Sequence, residues 1–351
     1  MGNRSWHFCR MRSQAGLSIV EIMVALTIGL FIIGGILYVF VSSRTVFSTN
    51  DAIARIQEDG RITMEILARE IRQAGFIGCA NTQVVTPNVI ADASPHDGVP
   101  DVVFTAGDGI RVFDNGMDGA TAWVNPTTIS RIAGTDVIQI KGMGTCSAKL
   151  TGNMTADNAN IQIGTNPCGW AAGQVLLVAD CTNIDVFVAS NVSVGSVTIA
   201  HASNVNIDPK LSKAYGSEAV VYGYGEKTYF VGMNPTINQP MLYEINYNGS
   251  ATTVNDVVGN VYDLQVLSAQ LDSDGNLAPD VNTQAAGNPP SFAAAVNWQQ
   301  ALGMSIRFSV RSESDNTGTE SLTYTFNGGP VTDRRIKRDF ISSVGIRNRL
   351  P

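Results

Sequence analysis

The chain has 351 residues, 44% of them hydrophobic and only 15% charged. That composition supports a real core and excludes both a disordered polar chain and a collagen-like repeat. The formal net charge is −7, about −10 once Arg4, Arg10 and Arg12 are set aside, so the bulk of the protein is a poor electrostatic match for nucleic acid.

Residues 1–16 are polar, carry those three arginines and no acid, and end in Ala15-Gly16. Leu17-Ser18-Ile19-Val20-Glu21 follows, then an apolar run over 22–41. Twenty residues at ~1.5 Å of helical rise span about 30 Å, the thickness of a bilayer core. Arginines before such a span stay cytoplasmic, which places the rest of the chain across the membrane. A secretory signal carries its small-residue cleavage site after the apolar run, and only a poor approximation stands there, at Val41-Ser42-Ser43. The apolar run is therefore expected to be retained; an uncleaved signal anchor, in which Gly16 has no role, is the plain alternative. Glu21 separates the two. A carboxylate near a membrane span needs a partner or the headgroup region. Cleavage after Gly16 would create one, because the new amine of Leu17 on a neighbouring subunit neutralises Glu21 inside a packed bundle.

Beyond the span, Ile53, Ile56, Met64, Leu67 and Ile71 recur at helical spacing, with Ile62 and Ile66 beside them. An amphipathic helix is predicted over 44–75, capped by Asn50 or Asp51 if the helix is broken there and stopped at Gly75. If unbroken, the helix runs from Leu17 to Ala74, with Gly29, Gly34, Gly35 and Gly60 as its expected weak points.

From Gly75 the pattern becomes alternating. Strands are predicted at 136–141, 174–179, 185–189, 196–200, 219–224, 228–231, 241–247, 261–271, 304–311, 321–326 and 335–346. Residues 81–130 read as loop-rich, and 292–302 as a short helix before a strand. The fold class is therefore α+β, with one long N-terminal helix packed on a β-rich globular head.

Once Cys9 is set aside, Cys79, Cys146, Cys168 and Cys181 remain, an even set expected to form disulfides in an exported domain. Three connectivities are open. The short loop between apparent strands favours Cys168 with Cys181, leaving Cys79 with Cys146. No Cys-x-x-Cys pair occurs and His7, His96 and His201 are scattered, which disfavours zinc.

No nucleophile elbow, His-Glu-x-x-His helix or phosphate-binding loop is present, so neither enzyme activity nor a cofactor is expected. Gly223-Tyr224-Gly225-Glu226-Lys227-Thr228 echoes a phosphate loop, but its Lys does not follow the Gly directly, and it reads as a strand. Asp101, Asp108, Asp114 and Asp118 read as turn residues. Asp272, Asp274 and Asp280 are candidate calcium ligands, although Gly275 falls at the wrong position for an EF-hand loop and a polar hairpin turn is the competing reading.

Gly16-Leu-Ser-Ile-Val-Glu21, with its basic leader and apolar tail, resembles the type IV prepilin signature. Farther on, the segment 67–79 (LAREIRQAGFIGC), the block 173–181 followed by Asp185-Val-Phe, Thr228-Tyr-Phe with Leu242-Tyr-Glu, Val310-Arg-Ser and the tail Ile346-Arg-Asn-Arg349 resemble PilW-like minor pilins. The resemblance implies a 1–16 leader removed by prepilin peptidase between Gly16 and Leu17, with methylation of the new Leu17 amine. It implies an assembly helix over 17–43, an outer helix over 44–75 and a periplasmic head over 76–351. The implied function is pilus assembly and initiation, in twitching motility and adhesion, and the implied location is the inner membrane, then the pilus surface. Implied partners are other minor pilins, the major pilin, the inner-membrane assembly platform and a tip adhesin. A type II secretion pseudopilin shares the same N-terminal physics, and a signal-anchored periplasmic enzyme or binding domain is the reading from a different class.

Overall fold

The computed structural model describes residues 16, 18–81, 84–91, 109–118, 121–193, 197–271, 276–279 and 301–349. The chain divides at Asp51/Ala52 into an N-terminal unit and a head. Among the described residues one α-helix, Ile19–Arg72, supplies the regular structure of the first unit and the first element of the second. Residues 50 and 51 lie inside it, so neither acts as a cap. The helix stops where expected: Gly75 takes φ 70°, a left-handed value that glycine adopts without a Cβ penalty, and its N–H donates to the Lys141 carbonyl at 2.9 Å.

Within the head, Ile56, Gly60, Thr63, Leu67, Ala68 and Ile71 form the buried stripe of the helix. It repeats at three and four residues, so one face meets the core and Arg55, Glu58, Arg61 and Glu65 stay exposed. Gly60 is a contact position rather than a weak point: a Cβ there would sit 2.1 Å from Cζ of Phe340, whose ring stacks on Phe308 at 5.3 Å.

An eight-stranded sheet is built on the long strand Val220–Met233. One edge of that strand pairs along almost its whole length with Val137–Lys149, which carries Ile110–Phe113 on its far side. The opposite edge is shared: Val220 to Gly223 pair with Val175–Ala179, and Glu226 to Met233 pair with Pro240–Tyr247. Thr252–Gly259 continues the sheet beyond Pro240–Tyr247, while Ile184–Val188 and then Asn88–Val89 continue it beyond Val175–Ala179. Asn88–Val89 joins in parallel; the other pairings are antiparallel. Val220–Met233 was expected as two strands, split at its Gly-Tyr-Gly; there Gly223 pairs on one edge and Tyr224 and Gly225 on the other, across a register shift, so the strand runs through.

Asn260, at φ 62°, turns the chain into a second antiparallel sheet, ordered Asn276–Pro279, Val261–Leu271, Ala301–Arg311, Lys337–Gly345. The main core lies between the two sheets and the helix: Leu67 and Ile71 meet Ile138, Tyr229 and Leu242 from the first sheet and Leu264, Ile306 and Phe308 from the second. Val175–Ala179 is buried on both faces, which is why its sequence is a continuous apolar run and not an alternating one; Ile184–Val188 is buried throughout as well, with Asp185 as its one polar residue.

The four cysteines are all bonded, but not as the short-loop argument expected. Cys79 bonds Cys181 and Cys146 bonds Cys168. The reason is the strand Val175–Ala179 lying between Cys168 and Cys181. At ~3.3 Å per residue it holds them at opposite ends, well beyond disulfide reach. Cys79, in the tight Phe76–Ile77/Ala80–Asn81 hairpin, instead meets Cys181 in the turn before Ile184–Val188, with Cα atoms 4.9 Å apart.

Candidate functional site

The N-terminal segment is built by the simplest local rules. Ser18 precedes the helix; its Oγ accepts from the Val20 N–H at 3.3 Å and its carbonyl accepts from Ile22 at 3.1 Å. Glu21 falls in the first turn, where the positive end of the helix dipole favours an anion. Gly16 is exposed just ahead, and Leu17 lies outside the described residues. Glu21 is exposed and makes no ion pair or hydrogen bond among the described residues.

The segment that follows is apolar on every side. Ile19, Leu30, Phe31 and Tyr38 are each more than 70% exposed, and the most apolar stretch has a mean hydropathy of 2.6 with none of it buried. An all-round apolar helix has no stripe to turn toward a soluble core. Its threonine hydroxyls bond within the helix: Thr27 Oγ1 donates to the carbonyls of Val24 (2.9 Å) and Met23 (3.1 Å), and Thr45 Oγ1 to that of Val41 (3.0 Å). A Cβ at Gly29, Gly34 or Gly35 would meet nothing within 4 Å. The helix is long and apolar enough to cross a membrane.

In the head, the polar groups that the sequence reading singled out fall apart as a catalytic set. Asp118 pairs with Arg111 at 2.6 Å. Asp101, Asp108, Asp272, Asp274, Asp280, His7 and His96 lie outside the described residues. Among the described residues no cluster of three acidic, histidine or cysteine side chains is arranged to hold a metal. His201 is buried, its ring nitrogens facing the carbonyls of Pro209 (2.9 Å) and Ala159 (3.0 Å).

Buried carboxylates, not foreseen from sequence, tie the head together. Asp185 is fully buried and accepts from the Ser212 backbone (2.8 Å), the Ser212 hydroxyl (2.6 Å), the Tyr215 hydroxyl (2.5 Å) and the Asn88 amide (2.5 Å). Asp136 accepts from the N–H groups of Val266 (2.7 Å) and Asn115 (2.9 Å), linking the two sheets. Burial and the neighbouring Asp114 charge push its carboxyl well above the usual range, against those two bonds. Asp180 is the opposite case. Burial pulls it upward, but bonds from Lys213, Thr182 and Asn183 prevail and hold it at about 2.

A cleft of about 340 Å³ lies in the head between the end of the helix and the Cys146–Cys168 disulfide. Its walls include Glu70, Gln73, Trp170, Lys227 and Asn246. Lys227 Nζ donates to Glu70 at 2.9 Å, so the charge brought by the helix is paired with a charge on the sheet. The sequence signal for this feature is a pair of Gly-x-Gly triplets, Gly142-Met143-Gly144 and Gly223-Tyr224-Gly225, on neighbouring strands.

No protein-family model matches the chain, and a search among curated proteins finds no match. The functional reading therefore rests on the residues themselves.

Proposed function

We propose that the chain is a PilW-like minor pilin: a non-enzymatic subunit held in the bacterial inner membrane with its head in the periplasm, then drawn into a type IV pilus. The observation that carries this reading is the junction at residues 16–22. A basic leader ends in Gly16, a carboxylate with no partner among the described residues stands at Glu21, and an all-round apolar helix continues without a break into an element of the head core. The apolar helix is stored in lipid and then buried among the helices of neighbouring subunits. There, Glu21 of one subunit neutralises the methylated Leu17 amine of the next and fixes their register. The head presents its surface to other minor pilins, the major pilin and a tip adhesin, while prepilin peptidase and the inner-membrane platform act on the N-terminal segment.

Glu21→Ala tests the register. The variant is expected to insert in the membrane and keep a folded head, yet fail to support surface piliation. Normal piliation by Glu21→Ala would remove the electrostatic argument.

A further inference from the structure

The cleft has a floor without side chains. Gly142 pairs directly with Gly225, so both lie on one face of the sheet; alternation along each strand places Gly144 and Gly223 on that face too. Gly144, Gly223 and Gly225 form a patch two strands wide on which a planar or ring-shaped group can lie against backbone. A Cβ added at Gly144 would meet the carbonyl oxygen of Gly223 at 3.2 Å, and one at Gly225 would meet the Gly144 Cα at 3.3 Å. A Cβ at Gly223 would meet one atom within 4 Å, the Trp170 indole nitrogen at 3.4 Å. A Cβ at Gly142 would meet the Phe76 carbonyl oxygen at 3.2 Å, so the chain after the helix covers that position; the side-chain-free floor is Gly144, Gly223 and Gly225, with the indole against Gly223.

The rim carries amides. Lys227 pairs across the strands with Ile140 on one side and Asn246 on the other, which sets Asn246 beside the glycine patch on the same face. Gln73 approaches from the end of the helix. Neither the Gln73 nor the Asn246 side-chain amide has a hydrogen-bond partner among the described residues. Each offers two donors and one acceptor, a set that matches hydroxyl groups, which also donate and accept. The nearby charges are already engaged, Lys227 with Glu70 at 2.9 Å, so the cleft holds no free charge at that point for an ionic ligand to meet. Its volume stands at the lower end of the ~300–1,000 Å³ range of ligand pockets.

From a bare floor, an indole edge and two unengaged amides, we infer that the cleft binds a neutral, hydroxyl-rich ring: a mono- or disaccharide unit of a glycan. The saccharide ring lies on the Gly144/Gly223/Gly225 patch beside Trp170, and its hydroxyls bond Gln73 and Asn246. The inference does not depend on filament assembly. A negative result here leaves the pilin reading standing, and an unprocessed N-terminus leaves the cleft standing.

The test is saturation-transfer NMR on the full chain in an amine-oxide detergent, which avoids sugar headgroups, with lactose, maltose and chitobiose as probes. At least one probe is expected to receive saturation and bind with a Kd of ~0.1–10 mM, the affinity of a small ligand held by a few contacts. Gln73→Ala/Asn246→Ala removes two side chains that bond nothing else described, and Gly223→Leu fills the floor. Each is expected to weaken that binding at least ~tenfold with an unchanged melting temperature. No saturation of any probe at high millimolar concentration, or binding that survives Gly223→Leu, overturns the assignment.

Discussion

Replacing each disulfide by a serine pair separates the structure from the simpler pairing more sharply than any other perturbation of the head. Cys79 and Cys181 close a loop of 102 residues, and Cys146 and Cys168 one of 22. Chain-entropy arithmetic gives about 4.7 kcal/mol for the long loop and about 3.4 kcal/mol for the short one at 25 °C, as upper estimates. The inner bridge shortens the outer loop only modestly, and the logarithmic dependence makes that correction a few tenths of a kcal/mol. Cys79→Ser/Cys181→Ser is therefore expected to cost about 1 kcal/mol more than Cys146→Ser/Cys168→Ser. Cys79 and Cys181 are also both exposed, whereas Cys146 and Cys168 are half-buried, so mild reductant is expected to open the long loop first. Denaturant unfolding of the oxidised full chain in detergent measures the energies, and non-reducing peptide mapping measures the connectivity. A peptide joining Cys168 to Cys181, or a larger loss from the inner pair, would refute the reasoning.

Two further predictions concern the buried acids. Asp136→Ala leaves the N–H groups of Val266 and Asn115 without their acceptor in a buried site, which costs about 2–5 kcal/mol and is read by denaturant unfolding; a loss below ~1 kcal/mol would mean that water or the backbone replaces the carboxyl. Asp180, held at about 2 against an ordinary 3.8, contributes stability that is present above pH ~4 and is lost as pH falls toward 2. Lys213→Met is expected to reduce that acid-side slope in a pH series of unfolding free energies, while a parent-like slope in the variant would exclude the Lys213–Asp180 contact as a source of it. Asp136 and Asp263, both raised first by burial, act with the opposite sign, their contribution fading as pH rises through their elevated values.

Much of the architecture can be read directly from residue patterns. The helix follows from the apolar run and the stripe after it, and its end from Gly75, because those signals are local. Val261–Leu271 has the predicted bounds, and most other strands lie within a few residues of theirs. Thr252–Gly259 escaped notice because it is an exposed edge strand whose Thr-Thr-Val-Asn-Asp lacks a buried alternation. The hairpin joining Leu322–Phe326 to Gly329–Asp333 announced itself in Asn327-Gly328, both at positive φ as a primed turn requires, and only its first strand was recognised. The disulfide pairing was illegible for a different reason: it depends on which strand ends meet in space, and loop length in sequence says nothing of that. The cleft belongs to the same class. Two Gly-x-Gly triplets 81 residues apart become one surface only when their strands pair.

The central claim is that a carboxylate at the mouth of an apolar helix is matched by a newly freed, methylated amine. Intact-mass and N-terminal peptide spectrometry of the full-length product, made in a bacterium with an active prepilin peptidase, tests it most directly. The account predicts a chain that starts at N-methylated Leu17. A chain that retains residues 1–16, with its three arginines, would contradict it.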